Sequence, residues 1–127
     1  MIALPSDRAD LLDRPLIAHV GVVAPDGAPR TFPMWFVRDG DAFGFTTSRD
    51  RPQARWLAPG DAFAMSIVDP GNPYRYAGVG LRLVACEPDP AAAFFHRLAD
   101  RYGLSVTLER PETRVVLRAR PTRYWFQ

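Results

Sequence analysis

Between residues 79 and 85 the chain alternates strictly: Val79, Leu81, Leu83 and Ala85 are apolar, and Gly80, Arg82 and Val84 fall between them. A period of two marks a strand with one face on a core, and it predicts a long strand over residues 74–86. Residues 113–124 repeat the pattern, with Val115, Leu117 and Ala119 set against Arg114, Val116, Arg118 and Arg120. Residues 16–23 are almost wholly apolar, stop at Pro25-Asp26-Gly27 and resume over residues 30–38, which predicts a hairpin. Asp39-Gly40-Asp41 then turns the chain into residues 42–47, so three consecutive antiparallel strands read as a meander. Residues 62–68 give one more strand, ended by the turn-forming run Asp69-Pro70-Gly71-Asn72-Pro73.

Helical signals interrupt these strands. Ser6 is placed to cap a short helix over residues 7–12, with Pro15 marking its end. A second short helix is expected over residues 52–58, before Pro59-Gly60. The third is marked at both ends, by Asp89 as cap, Pro90 in the first turn and Gly103 beyond the last. Its apolar stripe is Ala91, Phe94, Phe95, Leu98 and Tyr102, while His96, Arg97 and Asp100 fall on the wet side.

In the second strand Phe32, Met34 and Phe36 share one face and Pro33, Trp35 and Val37 the other, so neither face is plainly polar. Such a strand needs cover on both sides. A barrel interior and a partner subunit would supply it, which points to a homodimer. The sum is a mainly β fold of six antiparallel strands, a small β-barrel with peripheral helices. Residues 1–127 contain no linker, repeat or low-complexity segment, and their number suits a single domain.

Composition narrows the function classes. All 16 basic residues are arginine, against 14 acids, for a net charge of +2. A GC-rich coding bias accounts for that more readily than function does, so each arginine has to be judged by its position. They are dispersed among acids rather than gathered on one element with stacking aromatics, which argues against nucleic acid as a partner. No apolar stretch approaches the roughly 18 residues of a membrane span, and the opening residues lack the basic start and apolar core of a leader, so a cytoplasmic protein without a membrane partner is expected. Cys86 stands alone beside Val84 and Ala85 and reads as a buried structural thiol. His19 and His96 have no metal-ligand spacing, so no metal site is expected. Gly78-Val79-Gly80 lies inside a strand with no helix to receive a pyrophosphate, so it is not a dinucleotide fingerprint.

The stretch with most chemistry is Thr46 to Leu57, TTSRDRPQARWL. Threonine and serine hydroxyls, arginine forks and free N–H groups at a helix start together suit a phosphate. The same residues also read as a solvated turn, with Asp50 capping a surface helix and Trp56 and Leu57 packed beneath it.

The order of "LIAHVGVVAPDGAPRTFPMWF", "FTTSRDRPQARWL", "DPGNPYRY", "LADRYG" and "RVVLRARPTRYWF" resembles the pyridoxamine 5′-phosphate oxidase-like split β-barrel family, in its branch that uses the deazaflavin coenzyme F-420 or FMN. The resemblance implies a six-stranded antiparallel split β-barrel that dimerises with two cofactor sites at the subunit interface. It sets Pro33, Met34 and Trp35 beside the ring of the cofactor. It makes Thr46, Thr47, Ser48, Arg49, Arg51, Gln53 and Arg55 the cradle for the phosphate, with coenzyme F-420 the first choice and FMN the second. The implied activity is an oxidoreductase passing a hydride between that cofactor and a small electron-poor organic substrate. Tyr74, Tyr76 and Trp125 are candidates for the substrate side, a tyrosine hydroxyl serving as proton donor, although core or interface packing explains each of them as well.

The chain departs from the family pattern at several points. Gln53 stands where a phosphate-contacting lysine is common, Trp56 where an asparagine is common, Gly80-Leu81 where an Arg-Gly pair is frequent, and Val22 where a threonine is usual. The loss of the lysine keeps a second reading open, that of a catalytically silent dimeric binding protein on the same fold.

Overall fold

The computed structural model describes residues 3–127. Its strands are β1 (Ala18–Val23), β2 (Pro29–Met34), β3 (Phe36–Asp39), β4 (Ala42–Ser48), β5 (Ala62–Asp69), β6 (Asn72–Pro88) and β7 (Arg114–Phe126). They form one antiparallel sheet in the order β2-β1-β5-β6-β7-β4-β3. Seven strands appear instead of six because the apolar run over residues 30–38 breaks at Trp35. β2 pairs with β1, from Ala18↔Met34 to Val23↔Pro29, whereas β3 pairs with β4, from Phe36↔Phe45 to Asp39↔Ala42. The two halves of the expected second strand therefore lie at opposite edges of the sheet, and the meander is corrected to two separate hairpins. One residue carries the chain from one edge to the other. The sheet curls until those edges meet at Trp35, joined there by the peptide chain and not by a ladder of hydrogen bonds, which is a split barrel.

The alternation in the long strand is realised: Val79, Leu81 and Leu83 are 0%, 1% and 2% exposed. They interdigitate with Val20, Val22, Phe36, Phe43, Phe45, Ile67 and Leu117 in the barrel core. Leu11 and Leu12 of the short helix α1 (Asp10–Asp13) join the same core and are fully buried. The expected first helix is divided into a 3-10 turn at Ser6–Arg8 followed by α1, and Ser6 makes no capping bond. α1 is pinned instead by Arg75, whose guanidinium bonds the carboxylates of both Asp10 and Asp69.

The helix α2 (Pro52–Arg55) follows β4, and α3 (Ala93–Arg101) lies between β6 and β7. α3 starts later than expected, at Ala93, with Ala92 at the N-cap in place of Asp89 and Pro90 lying before the helix; the Asp89 carboxylate still accepts the Phe94 and Phe95 N–H groups, at 3.1 and 3.2 Å. At the other end Gly103 takes φ +69°, which lets the Leu104 N–H reach the Ala99 carbonyl at 2.9 Å. Phe94 and Leu98 pack with Val37 and Val116 on the outer side of β3 and β7, with Trp35 against them. Gly44 permits the close approach, since a methyl group there would lie 2.6 Å from Phe94 Cζ. The outer side of Trp35 and Val37 is thus covered by α3 of the same chain, so the two-faced run over residues 30–38 does not by itself call for a partner. Cys86 is exposed, not buried: a register shift between Leu83 and Ala85 takes the end of β6 out of the alternation that buries Leu81 and Leu83.

Candidate functional site

A cleft of about 250 Å³ opens where β2 ends and the chain crosses the seam. Pro33, Met34, Trp35 and Phe95 give it an apolar side. The Trp35 indole is held at a fixed angle, its centroid 5.2 Å from the Tyr102 ring with planes 14° apart, and 5.8 Å from Phe95. Tyr102 is in turn fixed by its hydroxyl, which accepts the Phe36 N–H at 3.0 Å and donates to the Leu16 carbonyl at 2.7 Å. Burial raises the Tyr102 pKa, with the Phe36 backbone opposing, so this hydroxyl stays protonated and committed to the seam.

The other side is polar and comes from three elements. Thr46 and Thr47, near the end of β4, are 8% and 4% exposed and lie opposite Val116 and Val115 of β7. Gln53 enters from α2 and is 7% exposed, while Arg51 precedes α2 in an extended conformation, with Pro52 starting the helix. Arg114, the first residue of β7, is half-buried; its Nη2 donates to Thr46 Oγ1 at 2.7 Å, and its guanidinium carbon lies 4.8 Å from the Phe95 centroid.

Two atoms of this floor, Gln53 Oε1 and Arg114 Nε, are buried with no hydrogen-bond partner. Such orphans are rare because each carries the desolvation cost of a polar group with nothing to offset it. Burial pushes the Arg114 pKa down, the Arg51 guanidinium adds to the shift, and Asp89 opposes it. Arginine nevertheless keeps its proton, so the cleft holds two like charges side by side. A flat apolar wall beside an unneutralised set of donors suits an aromatic ring that bears an anionic group. The residues present therefore fit a flavin-type cofactor.

Of the cradle expected from the sequence, Pro33, Met34, Trp35, Thr46, Thr47, Arg51 and Gln53 all line this cleft. Ser48, Arg49 and Arg55 do not. The Ser48 carbonyl accepts the Arg51 N–H at 3.0 Å, closing the turn; Arg49 Nη1 donates to the Glu112 carbonyl at 3.0 Å; and Arg55 is exposed at the end of α2. Asp50 lies 3.8 Å from Arg110 and does not cap α2.

The substrate-side candidates do not line this cleft within a single chain. Tyr74 is 77% exposed beside the β5–β6 turn, Tyr76 pairs with Val68, and Trp125 lies opposite Gly78, while Arg114 at the other end of β7 forms the cleft. Trp125 lies eleven positions along β7 from Arg114, at most about 36 Å at ~3.3 Å per residue.

Phe95 and Arg114 are the lining residues that the sequence does not single out. Arg114 alternates with Arg118 and Arg120 and looks like one more solvent-facing arginine. The usable signal is Val116, an apolar residue on the same face, which shows that this part of the outer side is covered.

Among the described residues no helix is long and apolar enough to cross a membrane, and no group of three or more His, Cys, Asp and Glu side chains is placed to share a metal ion. The family model for pyridoxamine 5′-phosphate oxidase matches residues 5–127. Among solved structures, one described as an F-420 reductase is 39% identical with a TM-score of 0.91, over 96% of this chain and 98% of that one. A FAD- and heme-binding protein from Mycobacterium smegmatis has a TM-score of 0.66 at 23% identity, over 98% of this chain and 71% of that one. A protein from Listeria innocua described as a putative pyridoxamine 5′-phosphate oxidase has a TM-score of 0.70 at 14% identity, over 93% of each chain. The last two likenesses are of fold alone. No curated protein matches the chain. Over residues 5–127 the chain belongs to the pyridoxamine 5′-phosphate oxidase family.

Proposed function

We propose that the protein is an oxidoreductase that holds a deazaflavin of the coenzyme F-420 type, or in second place FMN, in the cleft at the seam. The observation that carries this reading is the meeting of the Trp35–Phe95 wall with the unpaired Arg114 Nε–H donor and the unpartnered Gln53 amide in one cleft. The printed description of the 39% identical structure, an F-420 reductase, supports the deazaflavin over FMN. When bound, the cofactor supplies the hydride chemistry. The protein supplies position: Pro33, Met34 and Trp35 lie along the ring, Thr46, Thr47, Arg51, Gln53 and Arg114 hold the anionic group, and the apolar wall excludes water from one face.

No side chain lining the cleft has an ordinary pKa near neutrality, and the Tyr102 hydroxyl behind Trp35 is committed to Leu16 and Phe36. The proton for an electron-poor substrate then comes from solvent or from a partner subunit. A homodimer is part of the proposal. The outer face of β1 and β5 carries small residues, Gly21, Ala64 and Ser66, with Ile17, Val23 and Val68 exposed at its ends, and Trp125 lies beside it, flat on Gly78. Tyr74, Tyr76 and Trp125 stand at that end of the barrel and reach a cleft only through a partner. The same lack of an acid or base favours the second reading, a binding protein without turnover.

Fluorescence titration with coenzyme F-420 and with FMN is the test. Saturable micromolar binding to either supports the cofactor, and absence of binding to both overturns it. Reduction of a nitroaromatic or quinone acceptor by the loaded protein separates enzyme from silent binder. A monomeric mass by light scattering overturns the dimer.

A further inference from the structure

Two of the three arginines that follow β4 give the anionic group no direct support. Arg49 is engaged by the Glu112 carbonyl, and Arg55 is exposed outside the cleft. Arg114 has the opposite character: it lies inside, its guanidinium carbon is 4.8 Å from the Phe95 centroid, one arm is fixed on Thr46, and its Nε points to no acceptor. The carboxylate that influences it, Asp89, is occupied by the Phe94 and Phe95 N–H groups at the start of α3. Among the described residues, neither Arg114 nor Arg51 pairs with an Asp or Glu.

We propose that Arg114, with Thr46 and Gln53, is the phosphate-holding subsite of this cleft. Three features lead there. Thr46 Oγ1 already accepts from Arg114, so its single proton is free and the pair faces a ligand with donors only. A bound phosphate offsets the repulsion between Arg51 and Arg114, which among the described residues only the Asp89 carboxylate opposes, without pairing with either. And Gln53, 7% exposed with its Oε1 unpartnered, can turn its amide to offer Nε2, supplying a neutral donor where a third cation would add to the crowding. Arg114 offers the phosphate a planar fork whose guanidinium carbon lies 4.8 Å from the Phe95 centroid. That the phosphate arrives on a ring rests on the cofactor reading above; the anion subsite itself rests on Arg114, Thr46 and Gln53.

The test compares ligands that differ only in the phosphate: FMN with riboflavin, and coenzyme F-420 with its phosphate-free deazaflavin chromophore. The larger ratio of dissociation constants identifies a monoester or a diester. In the wild-type protein at least one ratio should be about tenfold or more, the effect of a charge-assisted pair. Arg114→Met, which keeps an apolar stem on Phe95, should bring that ratio close to one; Arg114→Lys should restore part of it, and Arg55→Ala should leave it unchanged. A ratio that survives Arg114→Met overturns the proposal.

Titration with inorganic phosphate, followed by NMR at the Thr46 and Thr47 amides and the Arg114 Nε–H, separates this subsite from the cofactor reading. Saturable shifts that Arg114→Met abolishes support the subsite even where neither ring binds. No saturable shift, together with wild-type ratios near one, overturns it.

Discussion

The Trp35 indole lies almost flat on Tyr102, with centroids 5.2 Å apart and planes 14° from parallel. It does so at the one residue where the barrel has no strand ladder. Tyr102 belongs to the end of α3, and its hydroxyl joins the Leu16 carbonyl, just before β1, to the Phe36 N–H at the start of β3. A helix side chain thus latches both lips of the seam while the same contact sets the ring wall of the cleft.

Tyr102→Phe keeps the stack and removes the latch. Two backbone groups lose their partner, so the change should cost about 1–3 kcal/mol, the usual penalty for such groups left unpaired. Urea unfolding should show a lower midpoint with an unchanged slope. An unchanged midpoint shows that the seam holds without the hydroxyl.

Gly44→Val drives a side chain into Phe94, because even a methyl group at this position lies 2.6 Å from Phe94 Cζ. α3 must shift, at a cost of about 1–3 kcal/mol for overpacking. Since α3 carries Phe95, cofactor affinity should fall along with the melting temperature. Gly27→Ala serves as a control with no neighbour within 4 Å, its cost arising only from φ +85°.

Acid stability should depend on the contacts of Asp10 and Asp69. The Arg75 guanidinium holds the Asp10 carboxyl below 3.8, and the Gly71 N–H, followed by Arg75, does the same for Asp69. A carboxylate with a folded pKa below its unfolded value stabilises the protein above the unfolded value, and that contribution is lost as pH falls through the folded one. The urea midpoint should therefore be insensitive to these groups between pH 5 and 7 and drop below about pH 4. In Arg75→Leu the midpoint at pH 7 should be lower and the acid drop shallower; an equally steep drop in the variant disproves the role of Arg75.

Cofactor affinity should weaken with salt, because the anion meets Arg51 and Arg114 on the polar side of the cleft. Raising ionic strength shortens the screening length from about 10 Å at 0.1 M to about 3 Å at 1 M. Dissociation constants measured across that range should rise several-fold for FMN and stay nearly flat for riboflavin. Equal salt dependence of the two ligands argues against an electrostatic hold on the phosphate.

Much of this arrangement is legible in the residues. Val79, Leu81 and Leu83 announce the central strand, Pro25-Asp26-Gly27 and Pro70-Gly71 announce tight turns, and Asp89 with Gly103 brackets α3. The break at Trp35 is not legible, since the apolar character of residues 32–37 runs through it without a glycine, proline pair or charge. What breaks the strand is the docking of Trp35 on Tyr102 and Phe95, side chains 60 and more residues away. Arg114 is hidden for a related reason. Its neighbours Arg118 and Arg120 share its alternation, and only the placement of α3 turns the first of the three inward.

The order of strands also sets the order of folding. β4 is held to the rest of the sheet by β7, from Phe43↔Ala119 to Ser48↔Arg114. The β3–β4 hairpin, formed early in the chain, therefore has no lasting place until the final residues arrive. Contacts this far apart in sequence close slowly. During synthesis both cleft threonines wait for the C-terminal strand, so a chain truncated before residue 114 should lose the site and the barrel together.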